Sequence, residues 1–242
     1  MRILTNMRLT TRNRRIAQYM FFASLGVPMI GLLLINADAK SPVTLLFSTL
    51  LPFIVLPLAY IIMITSIRMT NLWVREPRPE IAIQNGLKGI SNKSVLYNYI
   101  FMPVRHVLFT PQGVFTLTTR FQDGAFTVKG STWESNRKGT AKLMTILRMD
   151  SIGNPTAEAL KAKAKVEAML KDIAPDVPVN PLIVFIDPKA VFQATDPDVP
   201  VVHATAKELP NLKDYLQSVV TEKYPTLSTE QIEAFERVYV PR

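Results

Sequence analysis

The sequence contains no cysteine and only two histidines, His106 and His203, among its 242 residues. The absence of cysteine excludes disulfides, thiolate metal sites and a cysteine nucleophile. Glycine is also scarce, with nine residues, and neither a glycine-rich phosphate loop nor a serine nucleophile elbow occurs. A zinc site would need both histidines and added carboxylates. We therefore predict no metal and no cofactor.

Acidic residues are almost missing from the first part of the chain. Residues 1–75 carry eight Lys or Arg side chains and one acid, Asp38. The remaining 167 residues carry 20 basic and 18 acidic side chains, so most of the net charge of +9 lies in the N-terminal part. Nucleic-acid-binding modules are basic themselves. Nucleic acid is therefore only a weakly supported partner for the rest of the chain.

Two long runs, residues 17–35 and 43–67, contain no charged residue. At about 1.5 Å per residue, a helix of either length reaches across a bilayer core of about 30 Å. With the short connection between them, the runs predict a transmembrane helical hairpin over residues 17–67. Two other interpretations are a pair of buried core helices and a signal peptide cleaved near Ala37-Asp38-Ala39.

Arginine flanks this hairpin on both outer sides, whereas the connection holds one lysine and one aspartate. The positive-inside rule then places both termini in the cytoplasm. We expect a multi-pass protein of a bacterial inner membrane, with the lipid bilayer as a partner. The predicted organisation is a basic cytoplasmic N-terminus (1–16), the hairpin (17–67), a linker (68–79) and a cytoplasmic domain (80–242).

The domain alternates between strand and helix patterns, which predicts an α/β fold with a mixed sheet and flanking helices. A helix is predicted from Asn154-Pro155, since Asn is a good N-cap and Pro suits the first turn. A capping box at Ser228 and Gln231 opens the last helix. Asp187, Asp196 and Asp198 are assigned to a solvated loop. Strands are predicted at 95–101, 104–110, 114–120, 125–129, 181–187 and 199–203.

Several motifs in this order resemble the nuclease-related domain (NERD) family. The resemblance spans about residues 80–216 and implies a restriction-endonuclease-like fold. The motifs are Glu80, "VRHVLFTPQGVFTLTTR" (104–120), "DG" (123–124), Trp133, "GNP" (153–155) and "PLIVF" (181–185).

The resemblance also implies where catalytic residues would lie. Glu80 matches the first acid of the family. The family has an aspartate where this chain has Arg105, Glu-x-Lys where it has Thr118 and Arg120, and a glutamine where it has Glu158. Because Mg²⁺ prefers oxygen ligands, loss of the two central carboxylates predicts a degenerate, non-catalytic site.

Arg105 and Arg120 leave three alternatives open. They form internal ion pairs with Glu80 or Glu158, they are exposed, or they line a retained anion-binding pocket. His106 is predicted to be a hydrogen-bonded structural histidine. The aromatic residues Tyr97, Tyr99, Phe101 and Trp133 are predicted to pack in the core.

The sequence therefore predicts a membrane-anchored NERD-like domain that serves as a non-catalytic binding or assembly module at the cytoplasmic membrane face. One alternative is a membrane-tethered, Mg²⁺-dependent nuclease with a relocated site that uses Glu80, Glu158 and Asp123. Another is a small accessory subunit of a larger membrane complex. Small residues in the first span (Ala23, Gly26 and Gly31) would then allow close packing against other membrane subunits.

Overall fold

A computed structural model describes residues 1–35, 42–140, 143, 145, 151–205, 210–218 and 226–240. It divides the chain into an α/β unit, made of residues 1–7, 77–143 and 151–242, and a helical unit, made of residues 8–76 and 144–150. The helices are α1 (Met7–Ile35), α2 (Pro42–Trp73), α3 (Pro79–Gly86), α4 (Pro155–Leu170), α5 (Leu212–Ser218) and α6 (Thr229–Tyr239). The strands are β1 (Arg2–Thr5), β2 (Val95–Asn98), β3 (His106–Thr110), β4 (Gly113–Arg120), β5 (Gly124–Gly130), β6 (Thr132–Ser135), β7 (Val179–Phe185), β8 (Ala190–Pro197) and β9 (Val201–His203).

The α/β unit contains two sheets. The larger has six strands in the order β1-β2-β3-β4-β7-β9, and the smaller has the order β6-β5-β8. In the larger sheet β2, β3 and β4 pair antiparallel, whereas β1 joins β2 and β7 joins β4 in parallel. This mixed sheet with helices confirms the predicted α/β class. The finer prediction of a restriction-endonuclease-like fold stays a prediction.

Alternating side chains of the six-stranded sheet form a separate core on each face. Leu96, Leu108 and Phe115 pack with residues of α3 and α5 on one face. Tyr97 and Val114 belong to the cluster on the opposite face, which includes residues of α4 and α6. Because successive strand residues point to opposite faces, the sheet forms the middle layer of a three-layer α/β/α arrangement.

The helical unit consists of two long apolar helices. Residues Met7–Leu34 and Thr49–Trp73 are each long and apolar enough to cross a membrane, with mean hydropathies of 1.6 and 2.4. Only 11% and 17% of the apolar 18-residue stretch of each helix is buried. Large apolar side chains such as Phe22, Leu33 and Phe53 are therefore exposed. This exposure disagrees with the alternative of two buried core helices. It supports membrane association.

The first seven residues differ most from the prediction of a basic tail. Residues 2–5 form strand β1 at the edge of the large sheet, where Arg2 N donates to Ser94 O at 2.8 Å. Helix α1 then starts at Met7, ten residues before the predicted span. A strand of four residues carries too little local sequence pattern to be predicted. It forms because it can pair with the edge of the sheet, far away in sequence.

Residues 190–197 also differ from the prediction. They form strand β8, which pairs in parallel with β5, instead of a solvated loop. Asp196 is therefore a strand residue, with a φ of 47°, while Asp187 and Asp198 lie outside strands β7 and β8. The loop assignment was wrong for Asp196, because the polar "QATD" residues are on an exposed strand of the small sheet.

Candidate functional site

Strand β4 positions two of the residues singled out in the sequence. Residues 114–120 of β4 pair with β7, but β3 pairs with β4 only as far as Thr116. The last residues of β4 therefore have a neighbouring strand on one side only. Thr118 and Arg120 are two residues apart and share the β4 face of Val114, which packs in the α4 and α6 cluster.

Helix α4 supplies the facing side chains. The side chain of Asn154 accepts a hydrogen bond from Ala157 N at 3.0 Å, and Pro155 occupies the first turn, which confirms the predicted start of the helix. Glu158 and Lys161 are three residues apart, so they lie on one side of the helix. Together with Ala162 they face the end of β4 across a cavity.

This cavity has a volume of about 310 Å³ and brings four of the five candidate positions together. Its lining residues are Pro103, Val104, Arg105, Leu117, Thr118, Thr119, Arg120, Glu158, Lys161 and Ala162. Three of these side chains are cationic and one is acidic, which gives the cavity a formal charge of +2. We call it the β4–α4 pocket.

Arg120 is the most buried charged group of the β4–α4 pocket, with 7% of the residue exposed. Its Nη1 donates to its neighbour's carbonyl, Thr119 O, at 3.1 Å. Its Nη2 lies 2.9 Å from Oε1 of Glu158, the internal ion pair that was one of the predicted alternatives. Neither Nε nor Nη2 has a partner in hydrogen-bonding geometry. Loss of hydration lowers the pKa of Arg120, an effect opposed by Glu158 and reinforced by Arg105.

Arg105 has no carboxylate partner among the described residues. The predicted pair with Glu80 is not present, because Glu80 lies 3.4 Å from Arg78 instead. Burial is the main cause that lowers the pKa of His106 and of Arg120, and the charge of Arg105 lowers both further. The same charge opposes the rise in the pKa of Tyr99. Arg105 is thus a cation beside a second, buried cation.

Glu80 is the one candidate residue outside the β4–α4 pocket. It is 7% exposed, and its Oε2 accepts a hydrogen bond from the hydroxyl of Tyr99 at 3.0 Å. Burial is the main cause that raises the pKa of Tyr99, and the negative charge of Glu80 adds to it. Tyr99 therefore remains a neutral donor that holds the Glu80 carboxylate in place.

His106 is completely buried between strands, as predicted for a structural histidine. Its Nδ1 lies 2.9 Å from Oδ1 of Asn98, whose amide nitrogen donates to Thr5 Oγ1 at 3.1 Å. Since Oδ1 can only accept, Nδ1 carries the proton and Nε2 faces the core without a partner. Burial lowers the pKa of His106 to about 3, so the ring is neutral at neutral pH.

The remaining predicted residues have structural contacts. Asp123 pairs with Arg137, and the indole nitrogen of Trp133 donates to Thr156 Oγ1 at 2.8 Å. Tyr97, Tyr99 and Phe101 are buried, as predicted. Among the described residues, no three His, Asp or Glu side chains come together as potential metal ligands.

Sequence analysis missed Lys161 as a pocket residue. The available signal was its spacing, three residues after Glu158 on a helix whose start was correctly predicted. Tyr99 was identified only as a core aromatic, and nothing in its neighbourhood in sequence indicates the hydrogen bond to Glu80.

Comparisons with protein-family models, curated proteins and solved structures found no significant match to this chain. The resemblance to the NERD family therefore stays a prediction from the motifs.

Proposed function

We propose that this protein is a membrane-anchored, NERD-like binding or assembly module, without catalytic activity, at the cytoplasmic face of a bacterial inner membrane. The observation that carries the proposal is the joining of two exposed apolar helices to an α/β unit whose candidate site is cationic.

The exposed apolar surface of the two helices supports the anchor. Each buried CH₂ is worth about 0.8 kcal/mol on leaving water, and soluble proteins rarely expose large continuous apolar patches. Phe21, Leu25, Ile30, Leu56 and Ile61 all lie on these helices and are each at least half exposed. A bilayer would cover such side chains, whereas water would not.

The position of β1 supports a hairpin with both ends on one side of the membrane. β1 precedes α1, and it pairs in parallel with β2, which follows α2. Two strands in one sheet must lie on the same side of a bilayer. If α1 and α2 both cross, they therefore cross in opposite directions. By the positive-inside rule, the flanking arginines support the cytoplasm as that side.

The charge of the β4–α4 pocket supports a non-catalytic role. A divalent cation would meet Arg105 and Arg120, and arginine stays ionised at neutral pH. The relocated nuclease site would use Glu80, Glu158 and Asp123. Each of these carboxylates is paired with a different arginine, namely Arg78, Arg120 and Arg137. Among the described residues these three carboxylates do not come together as a potential metal site.

The test has two parts. In isolated membranes, we expect the full chain to stay in the pellet after alkaline carbonate washing. After extraction and purification in detergent, we expect the full chain to cleave neither single- nor double-stranded DNA or RNA with Mg²⁺ or Mn²⁺. Release by carbonate would overturn the anchor, and metal-dependent cleavage that is lost in Glu80→Gln would overturn the non-catalytic role in favour of the tethered nuclease.

A further inference from the structure

We infer that the β4–α4 pocket binds a phosphate group. This deepens the proposed function, since it names the ligand class of the binding module. Three features of the pocket favour this ligand: a guanidinium edge with an unpaired Nε, an excess of positive charge and an exposed carboxylate that a ligand can displace.

The guanidinium of Arg120 presents an edge that is only partly used. Nε and Nη2 form one edge of the planar guanidinium, and such an edge binds phosphate through two parallel hydrogen bonds. Nε lacks a hydrogen-bond partner, Nη2 lies 2.9 Å from the exposed carboxylate of Glu158, and Nη1 is already used by the carbonyl of Thr119. A buried donor without a partner is costly, so an acceptor at this edge is strongly favoured.

The charges around this edge favour an anion of charge −2. Arg105 and Lys161 line the same cavity, and neither has an ion-pair partner among the described residues. With Arg120 they outnumber the single carboxylate of Glu158, which leaves a formal charge of +2. A phosphate monoester carries a charge of about −1.5 to −2 at pH 7. The hydroxyl of Thr118, which makes no hydrogen bond in the described part of the chain, is a further donor in the lining.

Glu158 occupies the place of the ligand when no anion is bound. Its carboxylate lies 2.9 Å from Nη2 of Arg120, but its side chain is 60% exposed. An exposed partner contributes little to an ion pair, and the glutamate can turn into solvent at small cost. The phosphate would then replace one carboxylate oxygen with two oxygens on the Arg120 edge.

The volume agrees with a small ligand or a headgroup. At about 310 Å³ the pocket lies at the lower end of the range of small-molecule sites. It accommodates a phosphate group with part of the molecule that bears it. A soluble phosphate monoester and the headgroup of phosphatidic acid share this chemistry, and the experiment separates them.

The experiment measures phosphate binding to the full chain in nanodiscs by titration calorimetry. Inorganic phosphate and adenosine monophosphate are the soluble probes, with phosphatidylcholine nanodiscs. The lipid arm repeats the titration in nanodiscs that also contain phosphatidic acid. We expect saturable phosphate binding in the first arm. Loss of that binding in the second arm identifies the lipid headgroup as the preferred source, and unchanged binding identifies the soluble ligand.

Charge variants give the sharper test. Arg105→Gln and Lys161→Gln should each weaken binding about tenfold, because each removes one charge-assisted contact. Glu158→Gln should strengthen binding several-fold, because it removes the competing carboxylate. Lys165→Gln is the matched control, since Lys165 is exposed on the same helix outside the pocket and has no ion pair among the described residues.

The inference is overturned if the wild-type chain in phosphatidylcholine nanodiscs binds neither inorganic phosphate nor adenosine monophosphate. It is also overturned if Lys165→Gln weakens binding as much as the pocket variants do. In either case a protein that still resists carbonate and cleaves no nucleic acid keeps the proposed function and loses only the phosphate site. Cleavage of nucleic acid would instead overturn the proposed function.

Discussion

At the scale of single residues, three buried polar side chains of the α/β unit, those of His106, Tyr99 and Glu80, are stabilised in different ways. His106 is kept neutral by burial, and Tyr99 is kept neutral by burial and by the nearby Glu80 carboxylate. The carboxyl group of Glu80 accepts a hydrogen bond from Tyr99 and lies 3.4 Å from the guanidinium of Arg78. Each group has a measurable effect on stability.

His106 should make the protein less stable in acid. Its pKa is about 3 in the folded protein and about 6.5 in the unfolded chain, so between these values the unfolded chain binds one more proton. Stability from this group is complete above pH 6.5 and falls as the pH drops, by about 2 kcal/mol at pH 5. His106→Asn removes this titration. We expect the unfolding temperature of the variant to depend less on pH between 4 and 7.

The absolute stability of His106→Asn will be lower at pH 7, because the core loses ring atoms. The comparison therefore concerns the slope against pH, which a cavity alone does not change. Equal slopes for the variant and the wild type would contradict the neutral state of His106.

The Tyr99–Glu80 hydrogen bond should show a direct coupling energy. A hydrogen bond to a charged acceptor is worth about 1.5–3 kcal/mol. We expect Tyr99→Phe and Glu80→Gln to be less destabilising together than the sum of the two single changes. Chemical denaturation of the four proteins in a double-mutant cycle measures the difference. Additive effects would mean that Glu80 does not depend on Tyr99.

At the scale of secondary-structure elements, β1 ties the N-terminus to the sheet. Arg2 N donates to the carbonyl of Ser94, which directly precedes β2, at 2.8 Å, and Asn6 N donates to Asn98 of β2 at 3.0 Å. Because N–H groups alternate sides along a strand, Leu4 N also faces β2, whereas Ile3 N faces the open edge. The two neighbouring residues thus provide a matched pair for testing the strand.

Leu4→Pro should destabilise the α/β unit, and Ile3→Pro should have little effect. Proline at residue 4 removes a ladder donor and leaves a carbonyl unpaired, which costs about 1–3 kcal/mol. Leu4→Ala controls for the lost side chain. Thermal unfolding of the full chain in detergent gives the comparison. If both proline variants unfold at the same temperature, β1 does not pair with β2 as described.

The α1 and α2 helices approach closely at Gly31. A Cβ added at this residue would lie 2.4 Å from Cγ1 of Val55, whereas a Cβ at Gly26 would meet nothing within 4 Å. Of the small residues predicted to allow packing, Gly31 is therefore the one in contact with the neighbouring helix.

Gly31→Leu should separate the two helices, while Gly26→Leu should not. Overpacking at a close contact costs about 1–3 kcal/mol, and both variants raise the hydropathy of α1 equally. We expect a lower temperature of aggregation in detergent for Gly31→Leu only, measured by fluorescence-detected size exclusion. An equal drop in the aggregation temperature of both variants would contradict a specific contact at Gly31 and would indicate that another partner packs against this helix.

At the scale of the whole molecule, the absence of cysteine allows a clean test of topology. We expect a single cysteine at Asp38, in the connection between the spans, to react with an impermeant maleimide added to intact cells. A single cysteine at Lys165, on the exposed side of α4, should react only after permeabilisation. Because the chain has no other thiol, each signal reports one position. Labelling of Lys165→Cys in intact cells would reverse the proposed orientation.

The sequence by itself determined the features that arise from local chemistry. The apolar runs of α1 and α2 follow from composition. The starts of α4 and α6 follow from Asn154 and from the Ser228–Gln231 capping box, both of which are present. The β3–β4 hairpin follows from its alternating side chains and its Pro-x-Gly turn. These signals act over a few residues, so they survive without knowledge of the tertiary structure.

Only the tertiary structure decided which distant residues meet. The pairing of β1 with β2 joins segments on either side of the two long helices, and no local pattern specifies it. Arg105, Thr118 and Arg120 meet Glu158 and Lys161 because the end of β4 lacks a neighbouring strand on one side and α4 lies over it. Asp196 lies in a strand because its neighbours Thr195 and Pro197 pair with β5, and Asp196 itself lies at the bulge between them. The physical reason is common to all three: each depends on packing between segments far apart in sequence, where residue types alone allow several partners.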